Sequence, residues 1–235
     1  MALWRIGRGW AEDAMRRYLT TLNERTVNFV TPLDEMTAEN GWTIDGADTH
    51  IGNEPPGEPE IDGFFLRARQ ALINYDFSDP RIVVGHFDAE SDFIGRNILQ
   101  ELKVLGLRYL SGVRVHSVRD ESLADKTIFG FRYDTLDGHI ERGFEWFLLT
   151  KNHKTGDIHF KIEAHWRLGD FPNWWTKVGF KLIGEHFRET WRHRAPERLK
   201  KLSRKPVEKA TAPRGELAHR GDKTPKRTES AADGT

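Results

Sequence analysis

Cysteine is absent from all 235 residues, which excludes disulfide staples, thiolate nucleophiles and cysteine metal sites and fits a reducing compartment. Net charge is missing as well: 36 Lys and Arg balance 36 Asp and Glu, so wholesale electrostatic binding to nucleic acid or a membrane surface is not expected. No apolar run approaches the ~20 residues of a membrane span. Arg5 and Arg8 interrupt the opening residues before a signal-peptide core can build. The expectation is a soluble, cytoplasmic chain without stable membrane insertion. Lys and Arg are missing from residues 31–63, where Asp34, Glu39, Asp48 and Glu58 are among many acids spaced by Pro and Gly. With so little to bury, this stretch reads as an irregular acidic loop. Aromatic residues are missing beyond Ala195, where basic residues outnumber acids and prolines recur. Residues 195–235 therefore read as a disordered basic tail, solvated because it has no rings to stack on bases.

What is present is enough for a core: 37% hydrophobic and 11% aromatic residues, eight of them Trp. Within residues 1–30, Ala14, Met15, Tyr18, Leu19 and Leu22 fall on one side at helical spacing, predicting a helix that packs on the main domain. Gly7-Arg8-Gly9 just before it follows no strand and lacks a third glycine, so it reads as an entry turn and not a phosphate loop. Residues 64–74 resume helical spacing and 81–87 form a short β-rich run, while 95–105 suits helix or strand equally. Ile158, Phe160, Ile162, Ala164 and Trp166 alternate with polar residues, the pattern of a strand with one buried face. His159, Glu163 and His165 then lie on its polar side, at no metal-ligand spacing. After Asn173, residues Trp174, Trp175, Val178, Leu182, Phe187 and Trp191 line the apolar side of a last helix ending at Arg194. A meander of strands and a long C-terminal helix must bury their apolar faces on each other, giving an α+β domain over residues 64–194.

The densest cluster of chemical side chains lies between Phe129 and Phe147. Phe129, Phe131, Tyr133 and Thr135 alternate, Asp137-Gly138 suits a two-residue type I′ turn, and Ile140, Phe144, Trp146 and Leu148 alternate again. A two-residue loop pairs Phe131 with Phe144 and Phe129 with Trp146 on an apolar face. The opposite face then gathers Arg132, Asp134, Glu141 and Glu145, with Gly130 opposing Glu145.

The run Gly130-Phe-x-Tyr-x-Thr-Leu-x-Gly-His139, followed by Glu141, Gly143, Glu145 and Phe147, resembles the signature of the domain-of-unknown-function family nineteen-ninety. That family is grouped with the START and pollen-allergen-like helix-grip folds, in which a curved antiparallel sheet wraps a long C-terminal helix around an apolar cavity. The resemblance implies that fold, favours a strand over residues 95–105 and brings no agreed activity. Ile140 stands where the family tends to have proline. Phe144 stands where it tends to have a first glutamate.

Two site sets follow. His139 with Glu141 and Glu145 is a candidate acid-base group, with Arg132 to hold an anionic substrate, although the hairpin pattern favours a solvated ion-pair network of the same residues. Arg132, Tyr133, Phe144, Trp146, Trp166 and Trp175 are the candidate ligand-binding residues, the tryptophans lining a cavity between sheet and helix. No cofactor and no metal are expected. The leading function is binding of an apolar or amphiphilic small molecule. The alternatives are a hydrolase, cyclase or isomerase using His139 with Glu141 or Glu145, and an interaction protein acting through the acidic loop and basic tail.

Overall fold

The computed structural model describes residues 3–169 and 174–204, with side chains from Trp4 to Gly169 and from His186 to Arg204. The tail beyond 204 and the side chains of Trp174 and Trp175 lie outside the described residues. Eight strands, β1 (Leu3–Ile6), β2 (Thr43–Asn53), β3 (Val83–His86), β4 (Asn97–Val104), β5 (Leu107–Ser122), β6 (Lys126–Thr135), β7 (Glu141–Asn152) and β8 (Asp157–Leu168), share one sheet. Three helices accompany them, α1 (Glu12–Thr21), α2 (Phe64–Ile73) and α3 (Trp174–Arg204). The order is β2-β8-β7-β6-β5-β4-β3 with β1 beside β5, and every pairing is antiparallel. Six consecutive strands therefore form a meander, β2 closes its far edge, and α3 lies on the inner face. This is the helix-grip arrangement.

Residues 95–105 resolve to strand because β4 is paired on both sides, to β3 and β5. Alternation then sends Ile98 and Gln100 inward and Leu99 outward, where it meets Met15, Leu19 and Leu22 of the α1 region. The inner core is a set of rings, Phe77 meeting Phe147 at 4.8 Å and Trp191 at 6.2 Å between centroids. β8 alternates as its pattern predicts, with Ile158, Phe160 and Ile162 fully buried.

Three expectations are corrected. Residues 31–63 are not loop throughout, because Thr43–Asn53 forms edge strand β2 against β8. It pairs through its backbone and buries few side chains, Ile51 chief among them, so no apolar period marks it. The last helix does not stop at Arg194. It runs to Arg204 through Pro196, because Ala195 and Leu199 are fully buried in the core beside α2.

The third correction moves the hairpin. Phe131 opposes Phe147, not Phe144, and Phe129 opposes Leu149, not Trp146. Gly138 has φ 85° but Asp137 is not left-handed, so the turn is not type I′; that geometry occurs instead at Leu105-Gly106, with φ 48° and 82°. Leu136 is bridged to Val27 and the Asp137 N–H donates to Thr26 O at 2.9 Å, so the segment after α1 captures the residues expected to close the hairpin. An odd shift of register exchanges the faces. Glu145 turns inward beside Tyr133, and Phe144 and Trp146 turn outward beside Arg132 and Asp134.

Candidate functional site

A cavity of about 130 Å³ lies between the inner sheet face and α3. Ile82, Val83, Leu102, Ile140, Phe187 and Trp191 supply apolar wall. Tyr75, Gln100, Tyr133 and Glu145 supply a polar group within it.

Each polar residue is placed by a local cause. Tyr75 follows the end of α2 in a left-handed conformation, φ 57°, a strained state for a bulky residue that the surrounding structure must enforce. Its ring lies against Gly85 of β3, where a Cβ would come within 2.5 Å of it. Gln100 is an inward position of β4, and its amide donates to the Tyr75 hydroxyl at 2.8 Å. Tyr133 and Glu145 are cross-strand partners on β6 and β7, and the Tyr133 hydroxyl donates to Glu145 Oε2. Burial pushes the Glu145 carboxyl up to about 7, against the lowering effects of the Tyr133 hydrogen bond and Arg192. Burial and the Glu145 charge together hold both tyrosine hydroxyls well above their ordinary range.

His139 and Glu141 also line the cavity, so the structure brings all three candidate acid-base residues to one wall. Their chemistry differs from the expectation. His139 Nδ1 accepts the Glu141 N–H at 2.9 Å, which leaves its proton on Nε2. Burial, with Arg188 nearby, lowers it to about 3, so at neutral pH it is an uncharged imidazole and no proton donor of the usual kind. Glu141 is paired with Arg188, whose guanidinium lies 3.5 Å from the centroid of the Trp166 ring and is lowered to about 10 by burial.

Of the candidate ligand-binding residues, Tyr133 and Trp166 face the cavity. Phe144 borders it, but its ring packs with Met36 and Trp42 on the outer face and stacks on His165. Trp146 packs with that outer cluster, and Arg132 is held there by Asp134 at 2.9 Å and lies over the Phe144 ring at 5.1 Å. The Trp175 side chain lies outside the described residues. The solvated network expected on the hairpin is thereby split, with Arg132 and Asp134 on one side of the sheet and Glu141 and Glu145 on the other.

Tyr75, Gln100 and Arg188 were not among the sequence candidates. Once 97–104 is known as strand, inward alternation identifies Gln100. Tyr75 and Arg188 carry no such signal, being placed by a helix end and by the pitch of α3. Among the described residues no group of three or more potential ligands is arranged to hold a metal, and no helix is long and apolar enough to cross a membrane.

Similar solved structures include Ara h 8.0201, at 9% identity and TM-score 0.41 over 69% of this chain and 98% of that one. The hypothetical protein jhp0584 from Helicobacter pylori aligns at 10% identity and TM-score 0.42, covering 76% of this chain and 98% of that one. Ginseng major latex-like protein 151 from Panax ginseng aligns at 14% identity and TM-score 0.34, covering 65% and 97%. Likenesses of this strength add nothing to the strand order and helix placement described above. No curated protein matches. The family described as a domain of unknown function (DUF1990) matches residues 30–195, and with well over half of its length matched, this chain belongs to that family.

Proposed function

We propose that the protein binds an apolar or amphiphilic small molecule in the cavity between the sheet and α3. The observation that carries this reading is the cavity's composition, apolar walls around a few convergent polar groups, which is the make-up of small-molecule sites. Filling the space tests it. Leu102→Trp should abolish binding of an apolar fluorescent probe while circular dichroism stays unchanged. Equal probe binding by the wild type and a folded Leu102→Trp would overturn the reading.

A second reading, an acid-base enzyme, is favoured by one observation: a carboxyl raised to about 7 and hydrogen-bonded to a tyrosine inside a cavity. In it Glu145 is the proton-transfer group, His139 and Arg188 orient what surrounds it, and turnover of a bound probe is lost in Glu145→Gln.

A further inference from the structure

The cavity also constrains the shape and the head group of what it holds, an inference that rests on the binding reading above. The first constraint is size. A volume of about 130 Å³ is close to the roughly 150 Å³ engineered cavity that takes up benzene. A single ring fits this space.

The second constraint is the direction of the hydrogen bonds. Gln100 Nε2 donates to Tyr75 Oη. The Tyr133 proton goes to Glu145 Oε2. Glu145 is thus the acceptor at this end of the polar group. Among the described residues Glu145 Oε1 has no hydrogen-bond donor, and Glu145 lines the cavity. Among the described residues, two cations near this end are engaged by other carboxylates, Arg188 by Glu141 and Arg192 by Asp45. A ligand therefore meets an acceptor, and an anionic head would be placed beside a like charge.

We infer that the cavity takes a single-ring or comparably short apolar molecule whose head, a hydroxyl or an amine, donates a hydrogen bond to Glu145. The test is a matched series on the full chain by isothermal titration calorimetry, above the Glu145 pKa: toluene, benzyl alcohol, benzylamine and benzoate. Benzyl alcohol and benzylamine should bind about 10- to 100-fold tighter than toluene, the value of one hydrogen bond to a charged acceptor, and benzoate should bind most weakly. Which of the two donors ranks first tells a neutral ligand from a cationic one. In Glu145→Gln the amide oxygen still accepts from Tyr133 and presents an NH2 to the ligand, so toluene should bind unchanged while benzoate overtakes the donors. Donor-headed probes no tighter than toluene, or benzoate ranked first on the wild type, would overturn the head-group inference and leave cavity binding standing. Failure of all four to bind overturns the cavity reading itself. Equal affinity for 2-naphthylmethylamine and benzylamine overturns the size limit. Should Glu145→Gln fail to fold, the ranking on the wild type still decides.

Discussion

At the scale of single residues, the cavity holds two titratable groups shifted in opposite ways by the same cause. Burial raises Glu145 from 4.5 to about 7 and lowers His139 from 6.5 to about 3. A carboxyl with a raised folded pKa imposes no penalty below its unfolded pKa, and stability is lost as pH rises toward the folded value. Glu145→Gln should therefore melt like the wild type near pH 4.5 and be more stable than it above pH 7, by roughly 2 to 3 kcal/mol allowing for its partial exposure to the cavity. Thermal melts of both proteins across this range check the sign, and a variant less stable at high pH would show that Glu145 makes a net stabilising contact. A histidine with a depressed pKa behaves in the converse way: its contribution is intact above 6.5 and is lost as pH falls. His139→Asn keeps an acceptor for the Glu141 N–H and should lose less stability than the wild type between pH 6.5 and pH 4, read from urea midpoints at each pH.

At the scale of elements, two connections hold the cavity walls in place. The turn from β6 to β7 depends on Gly138, whose φ of 85° a β-branched residue resists. Gly138→Val should cost about 1 to 3 kcal/mol, and an unchanged denaturation midpoint would contradict the need for glycine there. The second connection is a buried ion pair that no local pattern announced. Lys151, fully buried on β7, donates to Glu54 Oε2 at 2.8 Å and to Glu58 O at 2.8 Å. Glu54 in turn accepts the Phe65 N–H at 2.7 Å at the start of α2. The pair thus ties the end of β2 and the entry to α2 onto the sheet. Lys151→Met leaves a buried carboxylate without its counter-charge and should cost about 3 to 5 kcal/mol. Lys151→Met combined with Glu54→Gln should recover part of that loss, because the amide still caps α2 and no charge is stranded. Additive losses in the double-mutant cycle would show that the two residues do not act as a pair.

At the scale of the whole molecule, α3 closes the fold and its last turns belong to the core. Ala195, Leu199 and Ser203 are fully buried, and Arg67 Nε donates to Ser203 O at 2.6 Å, joining α2 to the end of α3. A chain ending at Arg204 should melt as the full chain does. One ending at Arg194 loses the fully buried Leu199, about 1.5 to 3 kcal/mol, and a smaller part from the partly buried Leu202, and should melt well below it. Equal melting of the two truncations would show that α3 beyond Arg194 adds nothing.

The sequence by itself determined the class of the fold, because period-two alternation in β8 and the hairpin, followed by one long helix, leaves an apolar sheet face that only that helix can cover. It also singled out His139, Glu141 and Glu145 as one candidate group, through a compact motif within a single hairpin, but placed Tyr133 on the opposite face and Trp166 in a separate set. Only the tertiary structure decided which side of the sheet each residue faces. A strand's side chains alternate, so register alone separates inside from outside, and here register was set by Val27 and Thr26, residues more than a hundred positions from the turn they hold. The same reason accounts for β2, which is stabilised by backbone pairing to β8 and not by its own apolar pattern, and for Glu54 with Lys151, whose charges are tolerated in the interior only because distant parts of the chain bring them together.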